Sequence, residues 1–103
     1  MFNAQPFPHI SKDLKTDSSV QFIGGVFLSE GCEVGENCVI DASKFRITIQ
    51  SNCKIGKNTK IIADSDKIDI GSGVVIGDDC LITDSIEENS VIENNQTVLY
   101  KHN

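Results

Sequence analysis

Four cysteines, two histidines and fifteen carboxylates are the side chains here that could ligate a metal, attack an electrophile or carry a proton. A zinc site draws thiolates and imidazoles together from short spacings such as Cys-x-x-Cys. Cys32, Cys38, Cys53 and Cys80 contain no such pair, and neither His9 nor His102 lies near them in sequence, so no metal site is expected. An imidazole titrates near neutrality and suits a general base. His9 and His102 are therefore the catalytic candidates. Their plainer reading is as solvent-exposed residues of a proline-bearing arm and a tail. Asp41, Asp64, Asp66, Asp69, Asp78, Asp79 and Asp84 could be imagined around calcium. They lack the glycine–aspartate nonapeptide of calcium-binding rolls and read instead as a solvated acidic face.

The residues that must position these groups repeat every 21 places. Leu28, Ile49 and Ile70 form one aliphatic column, Val34, Ile55 and Ile76 a second, and Ile40, Ile61 and Ile82 a third. Such a period signals identical units stacked along an axis. Gly31, Asn52 and Gly73 share one place, and Asn37, Asn58 and Asp79 another, all residue types that tolerate positive φ at a corner. Gly35, Gly56 and Gly77 mark a place where neighbouring coils approach too closely for a side chain. Cys32 and Cys53 alternate with Val74, and Cys38 and Cys80 with Thr59, at places wanting a small, semi-apolar residue. Stacked strands would allow a Cys32–Cys53 disulfide, but cytosolic reduction opposes it.

Each hexad gives a short strand and a corner, and three sides close a coil. The third side alternates as a strand at Ile47-Thr-Ile49 and Ile68-Asp-Ile70, after polar stretches, Ser43–Arg46 and Asp64–Lys67, expected to bulge as loops. The expected fold is all-β: a single-stranded parallel β-helix of about four coils of roughly 21 residues, over residues 20–100. Residues 1–19 read as an arm or a degenerate first coil and 101–103 as a tail. Val91–Tyr100 should form a partial last coil, because Ile86, Ile92 and Val98 are displaced in register from Ile82. Phe2, Phe7, Phe22 and Phe27 should plug the open end of the stack or, alternatively, bind a second subunit.

A net charge of −6 opposes a nucleic-acid partner. No run of 18 apolar residues predicts a membrane span, and the N-terminus lacks the layout of a signal peptide. A cytoplasmic location is the expectation.

The hexads Val34-Gly-Glu-Asn-Cys-Val, Ile55-Gly-Lys-Asn-Thr-Lys and Ile76-Gly-Asp-Asp-Cys-Leu resemble the hexapeptide repeat of left-handed parallel β-helix proteins. With the widened coils, the segment Ile70-Gly-Ser-Gly-Val-Val-Ile-Gly-Asp-Asp-Cys-Leu-Ile resembles the sugar and polysaccharide O-acetyltransferases, and the similarity covers roughly residues 22–98. The left hand follows from the resemblance alone. A right-handed β-helix is the alternative, since parallel crossovers generally favour that hand. The resemblance implies a homotrimer using acetyl-CoA, with a catalytic histidine at the groove between subunits. Here the corresponding loops read Asp64-Ser-Asp-Lys and Asp84-Ser-Ile-Glu, without histidine, and the further coils and C-terminal cap of such enzymes are not found. Two histidines also cannot supply the three-histidine zinc site of carbonic anhydrases with this repeat.

The expectation is thus an acyltransferase-like protein, minimal or degenerate, with a non-catalytic binding or assembly role. The alternative is an acetyl-CoA-dependent O- or N-acetyltransferase acting on a sugar-like acceptor at a trimer interface. End-to-end assembly into filaments is a third reading, opposed by the charged, shortened last coil.

Overall fold

A computed structural model describes residues 8–11 and 14–101. Its elements are β1 (His9–Ile10), β2 (Lys15–Thr16), β3 (Gln21–Leu28), β4 (Glu33–Val34), β5 (Val39–Ile49) and β6 (Lys54–Ile55). There follow β7 (Lys60–Ile62), β8 (Ile68–Ile70), β9 (Val75–Ile76), β10 (Leu81–Ile82), β11 (Val91–Ile92) and β12 (Thr97–Val98). One sheet has the order β11-β9-β6-β4-β2. The other runs β1-β3-β5-β7-β10-β12, with β8 also paired to β5. Strand β5 turns a corner: its start pairs with β7 and its end with β8, so one bent sheet supplies two faces of the coil. Every pairing is parallel, which makes the molecule a three-sided β-solenoid, all-β as expected.

The three aliphatic columns stack in register, with Val34 on Ile55 on Ile76 and Ile40 on Ile61 on Ile82. Leu28, Ile49 and Ile70 do the same on the third face. All nine are at most 4% exposed, and each contributes roughly 1.5–3 kcal/mol by leaving water. One coil alone would bury none of them.

The corners follow the residue types that mark them. Asn37, Asn52, Asn58 and Asp79 have φ of 59, 61, 59 and 58°, and Gly31 and Gly73 lie at 76 and 70°. Corner amides pair back to the preceding coil, as Asn58 N–H does to the Glu36 carbonyl at 2.9 Å. Asparagine tolerates that left-handed backbone because its short polar side chain can hydrogen-bond locally, and alanine keeps the Cβ without that compensation. Asn58→Ala is expected to cost about 1–2 kcal/mol, read as a lowered urea midpoint, while Asn58→Gly escapes this strain.

The period departs from the expectation. A spacing of 21 residues holds only for the middle coils, as between Lys57 and Asp78, whereas Ser19 and Asn37 are related by 18 and Asp78 and Asn94 by 16. The cause is the length of the third side. Opposite Gly24 to Val26 on β3, β5 advances from Ala42 to Ile47, so Ser43–Arg46 bulge outward and are exposed, although they lie inside a strand. Asp64–Lys67 form an exposed loop at the same corner of the next coil. In the last coil that loop is missing, and Ile86, close behind Ile82, bridges Ile70. Ile92 and Val98 then return to register with Ile76 and Ile82, so Val91–Tyr100 continues the existing faces, and the displacement seen in the sequence is a shortened loop.

At the other end, β1 pairs with β3 and β2 with β4. Phe22 packs against the core there, but Phe27 is 39% exposed on an outer face and does not plug the stack. Phe2 and Phe7 lie outside the described residues. No helix among the described residues is long and apolar enough to cross a membrane.

Candidate functional site

The cysteines are interior. All four are buried and unbridged, and their thiols donate across to the next coil. Cys32 Sγ reaches the Gln50 carbonyl at 3.1 Å, Cys53 that of Gly71 at 3.1 Å, Cys38 that of Gly56 at 2.8 Å and Cys80 that of Glu93 at 3.0 Å. Thr59 Oγ1 makes the same bond to the Gly77 carbonyl at 2.8 Å. The place therefore selects a small donor as well as a small side chain, Val74 being the exception. Alternation of Cys with Thr was the available signal. Burial pushes the Cys38 thiol up, and the hydrogen bond with Cys32, then burial, raises that of Cys53. Thiols held protonated and enclosed are poor nucleophiles. A thiol-exchange reagent such as dithionitrobenzoate is expected to leave the native chain unmodified and to titrate all four cysteines after denaturation.

His9 lies on β1, exposed, with its ring stacked on Phe27 at a centroid separation of 4.8 Å and an angle of 6°. Register places Phe27, Thr48 and Asp69 successively beneath it on the same outer face. Three strand steps of about 4.8 Å separate His9 from Asp69, too far for a carboxylate to orient the imidazole. His102 lies outside the described residues. Of the two catalytic candidates only His9 lies among the described residues, and its ring contact there is with Phe27.

What the fold does build is a groove of about 710 Å³ along the outer face of β2, β4, β6 and β9. Its floor follows Gly35, Gly56 and Gly77, the places left bare because a Cβ would strike the next coil: at Gly35 it would lie 2.7 Å from the Lys57 nitrogen. The walls carry Lys15, Lys54 and Lys57 together with Asp17, Glu33, Glu36 and Asp78. Asp17 is fixed as an acceptor by the Ser19 N–H at 2.9 Å and hydroxyl at 2.7 Å, which hold its carboxyl below the usual range. Asp78 Oδ1 accepts the Lys57 N–H at 3.0 Å, tying the rim of one coil to the next. The groove offers ammonium groups, carboxylates and the Thr16 hydroxyl, with no imidazole or thiol among its described lining residues. Such a surface can hold a charged ligand.

The three lysines carry no signal in the repeat itself. Lys15, Glu33 and Lys54 occupy register-equivalent outward places, so applying the repeat to outward positions would have collected them. Among the described residues no group of three or more His, Cys, Asp or Glu side chains could hold a metal ion.

No protein-family model and no curated protein matches the chain. Among solved structures, serine acetyltransferase isoform 3 from Entamoeba histolytica, in complex with cysteine, matches 88% of this chain at 20% identity and a TM-score of 0.53. The likeness is one of fold. This chain covers 36% of the length of that enzyme. The acetyltransferase domain of PglB from Neisseria gonorrhoeae, in complex with acetyl coenzyme A, matches at 12% identity over 86% of this chain and 55% of that one, with a TM-score of 0.37. A perosamine N-acetyltransferase variant from Caulobacter crescentus, in complex with CoA and GDP-perosamine, matches at 11% identity over 86% and 54%, with a TM-score of 0.29. The parallel solenoid expected from the hexads is thus a fold shared with an acetyltransferase.

Proposed function

We propose that the chain is an acyltransferase-like hexapeptide-repeat solenoid that serves as a binding or assembly module rather than as an acetyl-transfer catalyst. The observation that carries this reading is the lining of the glycine-floored groove: three lysines and four carboxylates, with no imidazole or thiol among the described residues. The family resemblance carried by the hexads at Val34, Ile55 and Ile76 supports a left-handed coil and a homotrimer. Calorimetry with acetyl-CoA and CoA at millimolar concentration tests the reading, which expects no heat of binding. Saturable heat from both ligands would contradict it.

The second reading is an acetyl-CoA-dependent O- or N-acetyltransferase for a sugar-like acceptor at a trimer interface. It is favoured by the fold shared with serine acetyltransferase over 88% of this chain. It places His9 or His102 of a neighbouring copy at the acceptor, since the described lining of the groove holds no imidazole.

A further inference from the structure

Parallel solenoids have a standing hazard. Their terminal strands present unpaired backbone groups with the spacing that another copy's strands would match. Here, among the described residues, β11 and β2 are the outermost strands of one sheet, each paired on one side only. Inside the stack, the glycine column passes its amides onward: Gly35 N–H to the Ile55 carbonyl at 2.8 Å, Gly56 to Ile76 at 2.7 Å and Gly77 to Ile92 at 2.7 Å. Register carries that column from Gly77 to Glu93.

Two things change at Glu93. Its N–H does not point onward but is taken by Gln96 Oε1 of its own coil, at 2.7 Å. The place also carries a side chain, where a Cβ on each preceding glycine would collide with the coil below, within 2.7 Å of the Asn94 nitrogen in the case of Gly77. A further coil laid on Glu93 would therefore meet a Cβ where the stack needs none and an amide already engaged.

We propose that Glu93 and Gln96 form an end-stop that keeps this edge from stacking onto the β2 edge of a second copy of the chain. Register selects the occupant, because Thr16 of β2 stands in the same column as Val34, Ile55, Ile76 and Ile92. The Thr16 carbonyl of another copy would be the acceptor for the amide at position 93 if the stop were removed. Head-to-tail contacts of this kind do not close, so their product is a growing filament. The stop is separate from lateral assembly through the solenoid faces, which gives a fixed mass.

The test uses the full chain and two readouts. Amide hydrogen exchange on the wild type should show the Glu93 amide protected, with protection lost in Gln96→Ala and kept in Gln96→Glu, which retains an acceptor. Light scattering across a concentration series should give a constant mass for the wild type and Gln96→Glu. The double variant Glu93→Gly with Gln96→Ala should at least double its mass as concentration rises. An unprotected Glu93 amide in the wild type, a wild-type mass that grows with concentration, or a folded double variant of constant mass would each overturn the proposal.

Discussion

Gly56→Val is expected to lower the urea midpoint and the melting temperature more than any outward substitution on the same coil. A Cβ at position 56 would lie 2.5 Å from the Gly77 carbonyl carbon and oxygen, which are backbone and cannot swing aside. Relief requires the coils to part, and the Gly56 N–H bond to the Ile76 carbonyl lies at that same point. Overpacking of this kind costs about 1–3 kcal/mol when side chains can adjust, and a backbone collision places this variant at or above the upper end. For a domain of this size a loss of about 3 kcal/mol moves the melting temperature by roughly 12 °C or more. Lys57→Val adds the same side chain one residue along, at an exposed place, and should stay within about 0.5 kcal/mol of the wild type. Equal melting temperatures for the two variants would contradict the packing of the glycine column.

Ile55→Asp should abolish cooperative folding at neutral pH. Ile55 is 4% exposed between Val34 and Ile76, so the substitution removes roughly 1.5–3 kcal/mol of apolar burial and puts an unpaired carboxylate there. Against a total stability of about 5–15 kcal/mol the sum is decisive. The sign with pH is opposite to that of a surface aspartate. Burial favours the protonated form, so the folded state would bind the proton more tightly than the unfolded one, and stability falls as pH rises above about 3.9. Circular dichroism should therefore show more folded protein below about pH 4 than at pH 7. A variant with a wild-type transition at neutral pH would refute the core assignment.

Both results rest on features that were legible in the residues themselves. Stacking puts like on like, so Ile55 must resemble Ile76, and the core leaves a period in the sequence. Corners leave one too, because Asn37, Asn58 and Asp79 belong to the few residue types that accept φ near 60°. The cause of the changed spacing in the last coil was not legible, because the third-side corner faces solvent. Loops there can grow, as at Ser43–Arg46, or vanish, as before Ile86, without disturbing the columns. The groove was hidden for the same reason. Outward residues such as Lys15 and Lys54 carry no packing constraint, so their alignment emerges only from the register. The thiols were recognised as interior, yet their donor role needed the carbonyl of the next coil to be seen.

The functional reading turns on whether any copy of this chain moves an acetyl group. The direct measurement is acetyl transfer from acetyl-CoA to a panel of amino sugars and sugars by the folded wild type, alongside His9→Ala and His102→Ala. A binding or assembly module predicts no transfer above the uncatalysed rate for any of the three proteins. Turnover by the wild type that either histidine substitution abolishes would contradict it and make the chain an enzyme.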